Sequence, residues 1–404
     1  MKRVVVIPTY WTRESEDWND GDLIFDHPTS LDGEGTLQRC LESLNKIKGS
    51  FDLILIIVPT NIDIQEDLEK KIFDMLNHVV LNYRVIPVFP STIERIYKRI
   101  EDKGIKKVLN LEGYSQVRNT CILIPSILGF EDFILLDDDE VILDEDFLGK
   151  AIENLEKEFQ GKKVLAKAGV YLQSHGSPYF KDKEVWWRFF LNGKKAMNKA
   201  FELTETGKRF IDTPFAFGGN MVISRQAVEE GIPFDPYISR GEDIDFLVNV
   251  KSEGYAFILD TELKILHLPP KSHNPDWLKL RQDTFRLLYM KCKINRLKNQ
   301  KVKRIITSND LNPYPGPFLN WLLTLRIFLT SILLCIDYTL KFKFNDSKEA
   351  LRNIKLLFKN YDEQVSKYFL FKEKFKKTVQ KLINRSDLME ILLEKIVEAQ
   401  TKRH

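Results

Sequence analysis

Through residues 1–270, short apolar runs bounded by turn residues alternate with segments whose apolar positions recur every three or four residues. The runs Val4–Ile7, Leu53–Val58, Tyr83–Val88, Phe133–Leu136, Ala256–Leu259 and Leu263–Leu266 predict strands. Their hydrophobicity is nearly continuous rather than alternating, as in sheets covered on both faces. Between the first two runs, Leu37, Cys40, Leu41 and Leu44 fall on one stripe, which predicts a helix packed on that sheet. Together these patterns predict an α/β fold, Rossmann-like, with a mostly parallel sheet and flanking helices. The polar stretch Thr12–Gly35 lacks periodicity and reads as a long loop after the first strand, of the kind that is usually functional or disordered.

After His267 the pattern changes. Pro269-Pro270 ends the sheet region, a charged helical stretch runs to about Lys303, and Asn312-Pro313-Tyr314-Pro315-Gly316-Pro317 predicts a hinge. Residues 1–270 are therefore read as one α/β unit, 271–312 as linker and helix, and 313–404 as a helical, basic region. Within the last, Phe318–Tyr338 is strongly apolar but interrupted by Asn320, Arg326 and Asp337. Those polar positions favour a helix buried in the core, in a homo-oligomer contact or flat on a bilayer over one that spans it.

Composition changes this picture in three ways. A chain of 404 residues, 43% hydrophobic and 11% aromatic, can bury a full core and has room for two domains or one domain with an appendage. Its formal net charge of +3 hides an asymmetry: from Lys341 onward 16 Lys and Arg face 9 Asp and Glu, a local +7 against −4 for the remainder. A basic tail of this kind suits anionic lipid, or is simply a solvated helical face; nothing in the pattern points to nucleic acid. The four cysteines show no CxxC spacing, so neither a zinc knuckle nor a disulfide framework is indicated, and a cytoplasmic location is expected. The apolar run after Lys2-Arg3 is stopped by Pro8, which predicts a strand rather than a signal peptide. Peripheral contact with the inner face of the membrane is the corresponding expectation for the tail.

Three segments carry candidate chemistry. Phe133-Ile134-Leu135-Leu136 runs straight into Asp137-Asp138-Asp139-Glu140. On an extended chain Asp137 and Asp139 face the same side, where two carboxylates suit Mg²⁺ or Mn²⁺ bridging to phosphates. Alone, the run is equally a solvated acidic turn. In Ser239-Arg240-Gly241-Glu242-Asp243-Ile244-Asp245-Phe246, acids open an amphipathic helix, where they either complement the helix dipole or supply a general base. Finally, His267 follows a buried strand ahead of Pro269-Pro270, a structural position unless the imidazole completes a carboxylate-bound metal site. A glycine-rich basic loop for a nucleotidyltransferase and the GxGxxG of a dehydrogenase are both missing after the first strand.

In this order the segments resemble the GT-A fold, especially family 2 glycosyltransferases, from Met1 to about Pro270. The resemblance rests on Val4-Val5-Val6-Ile7-Pro8-Thr9-Tyr10, Gly113-Tyr114-Ser115-Gln116-Val117-Arg118-Asn119, Asp137-Asp138-Asp139 in place of the DxD motif, Phe217-Gly218-Gly219-Asn220-Met221-Val222-Ile223, and Glu242-Asp243. It implies a nucleotide-sugar half to about residue 140 and an acceptor half over 141–270. By the same resemblance, Pro8, Thr9, Tyr10, Arg118, Asn119, Asp137 and Asp138 bind the donor, and Asp137, Asp139 and His267 hold the metal. Gly218, Gly219 and Asn220 line the acceptor side, and Asp243, supported by Glu242, is the base of an inverting transfer. Arg240 and Lys271 are added as cations for the donor phosphates, and Trp186 and Trp187 as aromatic faces for an acceptor sugar. The implied partners are a UDP- or GDP-type sugar and a saccharide, small polyol or lipid-linked sugar acceptor. Two features differ from the family: Ile56-Ile57-Val58-Pro59-Thr60-Asn61 has no acid for the nucleoside, and the QxxRW of processive synthases is missing, which implies one sugar per encounter. A catalytically inactive sugar- or nucleotide-binding protein and a sugar nucleotidyltransferase are the alternatives.

Overall fold

The computed structural model describes residues 2–14, 25–100, 102, 104–272 and 274–399, so residues 15–24 of the loop expected after the first strand lie outside the described residues. Its strands are β1 (Arg3–Thr12), β2 (Thr29–Ser30), β3 (Asp52–Pro59), β4 (Arg84–Val88), β5 (Asp132–Leu136), β6 (Glu140–Ile142), β7 (Glu158–Phe159), β8 (Lys162–Leu172), β9 (Phe210–Asp212), β10 (Asn220–Ser224) and β11 (Ala256–His267). The main path of the sheet runs β4-β3-β1-β5-β10-β8-β11-β6. Along it only β10 and β6 oppose the others, so the sheet is mostly parallel, as the pattern predicts.

The continuous apolar runs have a direct cause. Val4, Val6, Ile54, Ile56 and Leu135 enter a core on one face, while Val5, Ile7, Leu53, Leu55 and Ile134 enter a second core on the other. Each such side chain, fully buried, stabilises the fold by about 1.5–3 kcal/mol. On the second face α1 (Leu37–Leu44) buries Leu37, Cys40, Leu41 and Leu44, the stripe read from the sequence. It is followed by α2 (Gln65–His78), α3 (Pro90–Arg99), α4 (Tyr114–Ile127), α5 (Phe147–Ile152), α6 (Gly193–Phe201), α7 (Arg225–Glu229) and α8 (Glu242–Ser252).

Two strand readings need correction. The runs Ala256–Leu259 and Leu263–Leu266 are one strand, β11, with a register shift between Leu259 and Lys264. The polar residues between them mark an irregularity, and Asp260 there is buried in an ion pair with Lys167 at 2.9 Å. Lys167 lies in the middle of β8, a long interior strand that the hydrophobic pattern does not reveal because this lysine interrupts it. Its ammonium group is matched by Asp260 and by the carbonyls of Lys150 and Glu153.

Beyond the sheet come α9 (Asp276–Leu297), α10 (Leu323–Leu340), α11 (Phe344–Arg352), α12 (Tyr361–Leu382) and α13 (Ser386–Leu393), the helical C-terminal region. Leu382, Leu388 and Leu392 belong to the same apolar core as Val4 and Leu135, and Val397 bonds to the backbone of edge residue Val85. The expected proline hinge is instead a packed connection: Leu311 and Tyr314 are buried, and Tyr314 Oη accepts from Arg286 at 2.5 Å. All four cysteines are free thiols.

Candidate active site

Ligands of open α/β sheets bind beyond the carboxyl ends of the strands. Here β5 ends at Leu136, β11 ends at His267, and antiparallel β10 begins with Asn220 opposite Leu136, so the acids and the histidine reach one edge. The chain does not stay extended after Leu136. Asp138 and Asp139 form a turn closed by Glu140 N–H donating to Asp137 O at 3.3 Å, after which β6 starts. The predicted sharing of one face by Asp137 and Asp139 therefore does not hold.

Each acid instead has its own setting. Asp137 accepts from Arg118 Nη2 at 2.6 Å. Asp138 is buried and accepts from Thr9 Oγ1 at 2.6 Å, and burial followed by the charge of Asp139 pushes its pKa up to about 7. Asp139, Glu140 and His267 bring one ligand atom each to within 4.8 Å of one another. Glu140, not Asp137, completes this trio because β6 pairs antiparallel with β11 in a register that sets Glu140 against His267. Asp137 remains within electrostatic reach of His267.

The residues present fit a divalent cation. Asp139 Oδ1 and Glu140 Oε2 are buried without a hydrogen-bond partner, and Asp139 Oδ2 has only the ion-pair neighbour His27 at 3.3 Å, an arrangement native proteins rarely allow unless an ion or water completes it. Hard oxygen donors beside one imidazole suit Mg²⁺ or Mn²⁺. His267 Nδ1 lies 3.0 Å from Glu140 Oε1 and 3.8 Å from Asp139 Oδ1. Burial alone would lower the pKa of His267, but Glu140 and then Asp139 outweigh it and raise the value to about 9. For Asp139 burial is overcome by His27, whose Nε2 lies 3.3 Å away, and by His267, leaving the pKa below its ordinary value. Tyr171 stacks on His267 with ring centroids 4.8 Å apart and bonds the backbone N–H of Gly219.

Helix α4 carries Arg118 into the site and also fixes the segment opposite. Asn119 bonds both backbone groups of Phe234 at 2.9 Å, and Ser115 Oγ donates to Ile238 O at 3.0 Å. That segment leads to Gly241, whose φ of 77° is left-handed and which starts α8. Glu242 is buried and Asp243 half-buried in the first turn. Burial, then the charge of Asp243, raises the pKa of Glu242 to about 7, and burial also raises that of Asp243. Gly218 joins the two sides: a Cβ there would lie 3.3 Å from Arg118 and 3.6 Å from Asp243. A Cβ on Gly219 would lie 2.5 Å from both Asp137 Oδ2 and Tyr171 Oη, so any larger residue there must displace one of these side chains.

Of the remaining sequence-predicted residues, Pro8 and Thr9 are buried in β1, and Tyr10 packs on Phe25 and Tyr114 with its hydroxyl buried and unbonded. Arg240 pairs with Asp26 at 3.2 Å, while Lys271 is exposed and enters no ion pair among the described residues. Asn119 is fully buried with both ends of its amide bonded to Phe234, so it holds the scaffold, whereas Asn220 donates through Nδ2 to Leu263 O at 2.9 Å and keeps Oδ1 buried without a hydrogen-bond partner. Trp187 is buried in the core and offers no open aromatic face, whereas Trp186 is 51% exposed and donates through its indole N–H to Asp337 of α10 at 2.8 Å. Sequence reading missed Glu140, His27, Tyr171 and Arg286. Only Glu140 had a signal, as the fourth acid of the run. Arg286, on α9, lies 3.0 Å from the Cβ position of Gly241 and bears on Asp243 electrostatically.

No protein-family model and no curated protein sequence matches the chain. Among solved structures it is similar to the mannosyltransferase PcManGT from Pyrobaculum calidifontis in complex with GDP-Man and Mn²⁺, with TM-score 0.45 and 11% identity over 94% of this chain and 87% of that one. It is also similar to GalNAc-T7 with UDP, GalNAc and Mn²⁺, with TM-score 0.39 and 12% identity over 74% of this chain and 51% of that one. A mycobacterial protein gives TM-score 0.36 and 13% identity over 71% and 72%. At these values the likeness is one of outline alone, and function is read from the residues.

Proposed function

We propose that this chain is a divalent-cation-dependent glycosyltransferase that moves one sugar from a nucleotide-diphosphate donor to an acceptor hydroxyl, inverting the anomeric centre. The observation that carries the reading is the trio Asp139, Glu140 and His267, in which Asp139 Oδ1 and Glu140 Oε2 lack hydrogen bonds, on the same sheet edge as the Arg118–Asp137 pair and the Glu242-Asp243 turn. A divalent cation held by the trio would neutralise the leaving diphosphate as a Lewis acid.

The chain's own residues supply the rest. Arg118 has Nε and Nη1 buried without hydrogen-bond partners, so it can offer donors to phosphate oxygens while Asp137 holds its Nη2. Asp243 Oδ1 accepts from the Ile244 N–H at 2.7 Å, which orients the carboxylate, and its raised pKa makes it a stronger base than an ordinary aspartate. Its role is to take the proton of the attacking acceptor hydroxyl. No separate nucleophile is needed for a single displacement.

The test is binding of UDP and GDP followed by thermal unfolding, with Mn²⁺, Mg²⁺ or EDTA present, and then NMR of the anomeric product formed from a turned-over donor. Cation-dependent stabilisation by one nucleotide and donor turnover abolished by EDTA are expected. Full turnover under exhaustive chelation, or no nucleotide binding with either cation, would overturn the reading.

A further inference from the structure

Helix α10 has two unlike faces. Leu323, Ile327, Thr330, Ser331, Leu334, Asp337 and Tyr338 are buried against the body of the protein. The opposite side exposes Leu325, Phe328, Ile336 and Leu340 at helical spacing, continued by Trp321 before the helix and Phe342 after it. Trp321 and Phe342 are each 81% exposed. At 18 residues the helix lays this apolar stripe along about 27 Å of surface. Phe342 is held in the left-handed region at φ 60°, a conformation a bulky side chain adopts only under constraint, and it projects its ring into solvent beside Phe344. On the other flank the turn Trp186–Leu191, anchored to α10 through Trp186 and Asp337, exposes Phe189. Contiguous apolar surface on this scale marks an interaction site.

The surrounding charge identifies the partner. Lys341–Lys359 holds six basic residues against Asp346 and Glu349, and all six are exposed. On α11 and just beyond it Phe344, Lys348, Leu351 and Lys355 recur at helical spacing and are all exposed, so lysines and apolar side chains share a face. Apolar groups followed at the C-terminal end of the stripe by exposed basic residues, with aromatics at both of its ends, match a bilayer surface carrying anionic headgroups.

We propose that the exposed face of α10 and α11 docks in the plane of an anionic lipid bilayer. The helix lies on the membrane and does not cross it: spanning would pull Thr330, Ser331 and Asp337 out of the protein, and Asp337 is tied to Trp186 and, at 2.6 Å, to Lys341. The turn that flanks the stripe also carries Arg188, which pairs with Asp283 at 3.0 Å; Asp283 pairs with Arg286 next to Gly241. The docked face is thus mechanically linked to the start of α8.

Sedimentation of the full chain with phosphatidylcholine vesicles, with and without phosphatidylglycerol, tests this. Binding is expected with phosphatidylglycerol, weakening as salt rises. Lys343→Gln, Lys348→Gln and Lys355→Gln each reduce it about five-fold, and the triple variant about a hundredfold. Leu325→Glu with Phe328→Glu abolishes it while leaving the thermal transition in place, since both positions are exposed. Failure of the wild-type chain to bind vesicles, or unchanged binding by the double variant, overturns the proposal. So does a light-scattering result in which the chain is a dimer that the double variant splits, because a second copy then covers the face.

Discussion

Glu140 and His267 oppose one another across the last strand pair of the sheet, and their side chains meet at 3.0 Å. The contact depends on backbone register, so the pair is built by strand pairing between positions 127 residues apart rather than by any local motif. With Asp139 beside it, the pair offers a cation a ready set of oxygen and nitrogen donors.

Glu140→Gln should therefore weaken Mn²⁺ binding roughly hundredfold, measured by calorimetry without any nucleotide, while Asp137→Asn should change it far less because Asp137 is held by Arg118. Equal losses in the two variants would return Asp137 to the ligand set.

Much of the scaffold was legible because fully buried parallel strands leave continuous apolar runs, and α1 leaves a stripe. What could not be read depends on distant partners. Lys167 hides β8 until Asp260 is seen to match it, and Asp137 separates from Asp139 because the chain turns at Asp138. Asn119 and Trp187 illustrate a related point: a residue type says what a side chain can bind, while burial and backbone partners decide what it does bind. His27 sits in a polar stretch without periodicity, and only the folded chain places it against Asp139.

Gly219→Ala tests how tightly the site is packed. The added methyl would meet Asp137 Oδ2 and Tyr171 Oη at 2.5 Å, so Asp137, whose other oxygen bonds Arg118, or Tyr171, which stacks on His267, must shift. A displacement near 1 Å at this point should lower kcat/KM about 10²-fold with little change in the unfolding temperature. Wild-type activity would mean that Asp137 or Tyr171 can move without consequence.

Lys293 joins α9 to the start of α8. Its ammonium group lies 2.8 Å from Asp235 and from Asp245, all three nearly fully buried, and Tyr289 donates to Asp235 at 2.8 Å. Lys293→Met leaves two buried carboxylates without their cation and should destabilise the protein by about 3–5 kcal/mol, read from urea unfolding. Because α8 also carries Glu242 and Asp243, activity should fall before global unfolding, and a loss below about 1 kcal/mol would show the cluster to be solvated.

The sharpest test concerns Asp243. A general base works only as the carboxylate, so activity must fall as pH drops through its pKa. Burial holds that pKa above the ordinary aspartate value, and neighbouring Glu242 is raised to about 7 by its own burial and by Asp243. The acid limb of kcat/KM should therefore lie above the usual carboxylate range, and the pair should titrate together rather than as two independent acids. Asp243→Asn should lower kcat by about 10²–10⁴ and remove that limb, while leaving donor affinity and cation binding nearly unchanged, since the group acts on the acceptor proton. Glu242→Gln should leave a single acid limb, still above the ordinary range because burial is the first cause of the Asp243 shift. If Asp243→Asn retains the acid limb and most of kcat, the proton goes elsewhere, and the carboxylate only positions the acceptor.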